Sequence, residues 1–322
     1  MKRIRKCRRL LVAFLTAMLC LSYLSMPVWA YTRVDVQREC SLTVRFAEGS
    51  QNFSNGVFRI YKVAQMSETA RFTLCEPFDK YPITLEDLDS AGWRALAQTL
   101  EGYVSVDKIQ PQQEEKTKDE GNAVFSGLQT GLYLVVGDRY QSAEKTFALE
   151  PFLISLPSLD KTGNQWDYDA IASAKYEAIE NPTAENYTSR AVQKIWKDDG
   201  AEKHRPENVT VQLLQNGQVY ETVTLSQKNN WKFEWDNLPG NSHWLLVEKN
   251  VPDGYTVLVE QEGTTFVLTN TYGQDVANVQ PVAEELPETG VCWWPVPLLA
   301  GTGIVLFMIG WSKTRKKVDD EK

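Results

Sequence analysis

The sequence predicts a mainly β fold: two β-sandwich domains of immunoglobulin-like size in tandem, the first with an inserted α-helix, between an N-terminal signal and a C-terminal transmembrane helix. Three observations predict it. Short segments that alternate apolar and polar residues recur between turn signals. One segment, about 84–104, has helical spacing instead. Each end carries an apolar run beside a cluster of bases, unlike the polar chain between them.

Lys2, Arg3, Arg5, Lys6, Arg8 and Arg9 lead into an apolar run from Leu10 to about Leu24, then Pro27-Val28-Trp29-Ala30. A charged head, a short apolar core and a small-residue exit describe a secretory signal peptide over 1–30. The run falls short of the ~20 residues that cross a bilayer.

The first domain is expected over 40–175. Segments 41–46 and 57–63 alternate as strands do. Leu85, Leu88, Trp93, Leu96 and Leu100 then recur at helical spacing, with Thr84 as a cap before Glu86 and Asp87. Further strands are expected at 123–125, 132–136, 147–156 and 166–172, and polar 108–122 as a loop. Residues 176–190, with Asn181-Pro182-Thr183 and little apolar content, read as a linker. A second domain over 191–272 has short strands set off by Asn216-Gly217, Pro239-Gly240 and Asp253-Gly254, the spacing of a β-sandwich. Polar, acidic 273–285 reads as a flexible tether. After Leu286-Pro287-Glu288-Thr289-Gly290 comes an apolar transmembrane segment over 291–311, edged by Trp293, Trp294 and Trp311. Lys313, Arg315, Lys316 and Lys317 lead the tail 312–322 and hold that end in the cytoplasm.

Charge narrows the function. The chain carries −8; the first thirty residues hold six bases and no acid, and 290–322 a net +2, so 31–289 carry about −16. So acidic a surface argues against nucleic acid as a partner. Two of the five cysteines, Cys40 and Cys75, lie between the signal and the motif. In an exported chain they form one disulfide or remain two thiols. Two cysteines do not make a zinc site. The histidines, His204 and His243, have no metal-binding spacing, and no Gly-x-Ser-x-Gly elbow occurs. No enzyme active site, cofactor or metal is expected.

The second domain holds the chemistry. Val192, Lys194 and Trp196 share one strand face by period two, as do Trp244, Leu246 and Glu248, and Phe266, Leu268 and Asn270. Each polar residue is flanked by large apolar ones. Burial lowers a lysine pKa and raises a glutamate pKa. A neutral Lys194 amine is a nucleophile, and a protonated Glu248 can polarise the Asn270 carboxamide and shuttle protons. The product is a Lys194–Asn270 isopeptide bond with loss of ammonia.

Lys194-Ile195-Trp196, Arg205-Pro206-Glu207-Asn208-Val209, Asn230-Trp231, Leu238-Pro239, Val247-Glu248, Val251-Pro252-Asp253-Gly254-Tyr255 and Thr269-Asn270-Thr271 together resemble the collagen-adhesin B-type, prealbumin-like domain. The resemblance implies a Lys–Asn bond promoted by Glu. Phe58 to Ala64, Gly127-Leu128, Gly131 to Val135 and Pro151 to Pro157 resemble, more loosely, the N-terminal domain of pilins. No complete Lys, Glu and Asn set is evident there. The pentapeptide, apolar span and basic tail resemble a sortase sorting signal. That implies attack on Thr289, loss of Gly290 onward, and transfer to a peptidoglycan precursor or another pilin, with the chain on a Gram-positive cell wall. Trp166 and Lys175 have the spacing of a shaft pilin's reactive lysine motif, but Ala170, Ala172 and Ala174 stand where that motif has Val, Val and Pro. Lys175 is either that nucleophile or a strand-end lysine. These resemblances imply a basal or minor pilus subunit or stalk, or alternatively a stand-alone adhesin for host matrix or glycan.

Overall fold

The computed structural model describes residues 33–160, 165–180 and 187–273. The expected signal peptide, the tether beyond Gly273, the 286–290 motif, the membrane segment and the tail lie outside the described residues. No helix among those described is long and apolar enough to cross a membrane.

The described chain is mainly β with one α-helix. In the first module β1 (Cys40–Arg45), β2 (Val57–Met66) and β3 (Phe72–Leu74) precede α1 (Ser90–Asp107). Then come β4 (Gln113–Lys116), β5 (Asn122–Leu128), β6 (Gly131–Gly137), β7 (Lys145–Leu149), β8 (Phe152–Leu156), β9 (Asp169–Ser173) and β10 (Tyr176–Glu180). One sheet runs β8-β6-β2-β3, with β4 also on β2; a second runs β9-β1-β5, with β9 parallel to β1. Alternation sets the faces. Phe58 and Ile60 of β2 join Leu42, Val44 and Phe125 in one core, while Tyr61 and Val63, further along the strand, face a second core that includes Leu96 and Leu100 of α1.

Local chemistry moves several boundaries. Helix α1 begins six residues after Thr84, at Ser90, because Asp87 holds a left-handed φ of 54°. Asp89 is the N-cap, its Oδ1 accepting from Gly92 N at 2.8 Å, whereas Thr84 accepts from Glu86 N in a local turn. Within the expected loop 108–122, β4 pairs with β2. The expected strand 147–156 breaks between β7 and β8 at Glu150 and Pro151, the latter having no N–H to pair. The expected linker 176–190 contributes β10, which pairs with β7, and the start of β11 (Tyr187–Lys197).

β11 opens the second module, followed by β12 (Asn208–Gln215), β13 (Gln218–Ser226), β14 (Lys232–Pro239), β15 (Trp244–Glu248), β16 (Tyr255–Glu262) and β17 (Thr265–Tyr272). Two sheets, β14-β11-β17-β16 and β13-β12-β15, face each other. Asn216 and Gly217 have φ of 50° and 76°, the two left-handed residues of a tight hairpin between β12 and β13. The first and last strands, β11 and β17, are parallel neighbours. Helix α1 joins the modules: its Leu96, Leu100 and Tyr103 share one core with Leu134 of the first and Val247 and Val257 of the second.

Candidate functional site

Three strands bring the site together. On β11 and β17 the register sets Lys194 beside Leu268 and Trp196 beside Asn270. Lys194 and Asn270 are therefore diagonal neighbours on one inward face. Glu248, the last residue of β15, reaches them from the opposite sheet. All three are sealed from solvent, at 3%, 1% and 0% exposure. Asn270 Nδ2 donates to Glu248 Oε1 at 3.1 Å, and Lys194 Nζ lies 3.9 Å from Glu248 Oε2. The amine also sits 4.1 Å from the Trp196 ring centroid and donates weakly to Ile195 O at 3.4 Å. Glu248 Oε2 and Asn270 Oδ1 have no hydrogen-bond partner.

The electrostatics follow from burial. An ion pair placed here would cost several kcal/mol of desolvation per ion. Burial pushes the Lys194 amine down, and Glu248 and Asp198 only partly restore it. Burial pushes the Glu248 carboxyl up, against the pull of Lys194 and of the Asn270 hydrogen bond. The pair thus favours a neutral amine beside a protonated acid. The nucleophile, proton carrier and carboxamide that an amide-forming condensation needs stand within one shell.

Asp198, just past β11, is a further member that sequence reasoning missed. Its buried carboxylate accepts from Arg205 Nε at 2.7 Å and Tyr255 Oη at 2.8 Å. The Arg205 hydrogen bond leads in holding it below the usual carboxylate range. Lys197-Asp198-Asp199-Gly200 reads in sequence as a solvated turn, so only the nearby Arg205 and Tyr255 could have signalled a buried acid.

The other expected residues lie elsewhere. Lys175 is exposed between β9 and β10, its carbonyl accepting from Glu150 N at 2.9 Å. Cys40 and Cys75 are two free thiols, not a disulfide. Cys75 Sγ donates to Lys62 O at 3.4 Å, and burial pushes the Cys40 thiol up to about 11. Leu286, Pro287, Glu288, Thr289 and Gly290 lie outside the described residues. Among the described residues no group of three His, Cys, Asp or Glu could hold a metal ion.

Residues 190–271 match the family model of the Cna protein B-type domain. The second module is similar to that domain over nearly its whole length. A collagen adhesin of Staphylococcus aureus is 24% identical over 239 residues, covering 63% of this chain and 19% of the adhesin. The chain thus spans about a fifth of that relative's length. Among solved structures, a single B repeat unit of the S. aureus collagen-binding surface protein is 15% identical, covers 74% of this chain and 99% of that one, and has a TM-score of 0.26. The full-length major pilin SpaD of Corynebacterium diphtheriae is 12% identical, with coverage of 76% and 100% and a TM-score of 0.28. The second module places Lys194, Glu248 and Asn270 in its interior, with the buried Asp198 just past the end of β11.

Proposed function

We propose that this chain is an exported protein held covalently on a Gram-positive cell wall, a basal or minor pilus subunit or stalk whose Cna B-type domain clamps itself with a Lys194–Asn270 isopeptide bond. The observation that carries the clamp is the buried juxtaposition of Lys194, Glu248 and Asn270. The neutral Lys194 Nζ attacks Asn270 Cγ. Glu248 takes a proton from the amine and delivers one to the departing nitrogen. The Cγ–Nδ2 bond breaks, the Cγ–Nζ amide forms, and one ammonia leaves. A half-turn of the carboxamide, whose two ends have nearly the same shape, brings Oδ1 to accept the Glu248 proton. Intact-mass spectrometry tests the clamp: the folded chain should be lighter by one ammonia, and the full unreacted mass would overturn it.

Anchoring rests on Leu286-Pro287-Glu288-Thr289-Gly290, with sortase as the partner that cleaves after Thr289. The base or minor position rests on the alanines around Lys175. In a sortase reconstitution, Lys175→Ala should leave covalent ladder formation unchanged; loss of the ladder would make this a shaft subunit. The similarity to a collagen adhesin favours a second reading, in which the same anchored chain binds host matrix. Saturable binding of the purified chain to immobilised collagen would support it.

A further inference from the structure

We propose that helix α1 of the first module is a wall of the reaction chamber in the Cna B-type domain, so that the Lys194–Asn270 bond forms only with the helix docked. This inference rests on the clamp reading above. The two sheets of the domain meet at β15 and β16, which belong to different sheets and share no ladder. That seam is where water would reach Glu248. Helix α1 closes it.

Two sets of contacts hold the helix there. Gly102 lies against β15: a Cβ on it would stand 2.8 Å from Val247 Cγ2 and 3.3 Å from Leu246 O. Only glycine lets the helix approach this strand so closely. All five residues of β15 are buried, so both its faces are covered. Along β16, the edge strand of the other sheet, alternate amides find acceptors in the first module. Val257 N donates to Pro82 O at 2.9 Å, Val259 N to Thr99 Oγ1 at 2.8 Å, and Gln261 N to Gln98 Oε1 at 2.8 Å. Thr99 meanwhile donates to Ala95 O at 2.7 Å, so its hydroxyl ties the helix to the other module's strand.

Residues 99–104 are all buried, more than one full turn, so this part of the helix is packed on nearly every side, with Glu101 and Val104 lining an open cleft. Tyr103 among them stacks on Tyr81 with ring centroids 4.1 Å apart. Its hydroxyl is pushed up, first by burial and then by the Glu248 charge, which places it within electrostatic reach of that acid. Removing the helix exposes the seam, returns Glu248 toward its ordinary ionised state and returns Lys194 toward its ammonium form. Tyr103 from α1, and Asp198 and Arg205 from the connection between β11 and β12, are the other titratable or charged groups that act on this pair.

The test follows bond formation during cell-free synthesis of the whole chain, with samples stopped in denaturant and ammonia loss read by intact mass. Gly102→Leu wedges α1 from β15, and Thr99→Val removes one stitch while keeping shape. Each should slow ammonia loss by about tenfold or more, the change given by a barrier about 1.4 kcal/mol higher. The alkaline fall in rate should begin at lower pH in both, because Glu248 then ionises earlier. Thr99→Ser, which keeps the hydroxyl, should restore the wild-type rate and pH profile. Wild-type chain that loses no ammonia overturns the clamp reading and this inference with it. Wild-type chain that loses ammonia, with folded Thr99→Val reacting equally fast at every pH, overturns this inference alone.

Discussion

At Asn270 the amide nitrogen meets Glu248 and the oxygen meets nothing, although the residue is fully buried. A stable core normally satisfies both ends of a buried amide. Bond formation resolves the imbalance, because the carboxamide becomes part of a cross-link. Asn270→Ala should therefore keep the ammonia and lose stability. A cross-link closing residues 194–270 stabilises by about 4 kcal/mol through the unfolded state, on the chain-entropy account used for disulfides. In a unit of this size that is a fall in Tm of about 10 °C. Glu248→Gln should fall by a similar amount, because it loses the same bond while keeping the side-chain shape. The double variant should melt near the single ones, since one cross-link cannot be lost twice. Calorimetry with intact-mass readings checks all three; an Asn270→Ala chain that melts with the wild type would remove the mechanical role.

Elements were legible where their pattern is local. The hairpin at Asn216-Gly217, the alternation of β1 and β2, and the three faces carrying Lys194, Glu248 and Asn270 all follow from period two and turn chemistry. What sequence did not reveal depends on partners far along the chain. Gln113–Lys116 is charged throughout its middle and pairs because β2 presents an open edge, not because of its own propensity. The apolar spacing located α1, yet its start was misplaced because Thr84 and Asp89 are both good caps and only the left-handed Asp87 separates them. Gly102 in a helix interior reads as a weak point until Val247 stands against it. The observed cap yields its own prediction. Asp89→Ala should cost about 1 kcal/mol, while Thr84, whose hydroxyl closes a turn, should not behave as a helix cap. Denaturant unfolding of the two alanine variants, with helix content followed by circular dichroism, separates them. Equal loss of helix signal in both would show that Thr84 contributes to the start.

At the scale of the molecule, tandem sandwiches joined by a linker would unfold as separate beads, but α1 and the shared core make the modules interdependent. One ion pair reports on that joint. His243, in the turn before β15, lies 3.1 Å from Glu101 of α1, which is nearly buried. Burial opposes the imidazolium, but the charge and hydrogen bond of Glu101 together outweigh it and raise the pKa above its ordinary 6.5; Arg139 and Asp138 act weakly in opposite senses. The sign follows from linkage. A folded pKa above the unfolded one means that the native state binds the proton more tightly. The stabilisation is fully present below pH 6.5, where the unfolded imidazole is protonated too, and is lost as pH rises through the raised folded value. The chain should thus be held together more firmly at pH 6 than at pH 9 through this group. Urea midpoints across that range should fall more steeply with pH for the wild type than for His243→Gln, which cannot take up the proton. Because Glu101 sits on the helix that packs against the second module, the difference should appear in a single transition that carries both modules. Parallel pH slopes for the two proteins would show that the pair contributes nothing to the joint, and two separated transitions would show that α1 does not couple the modules.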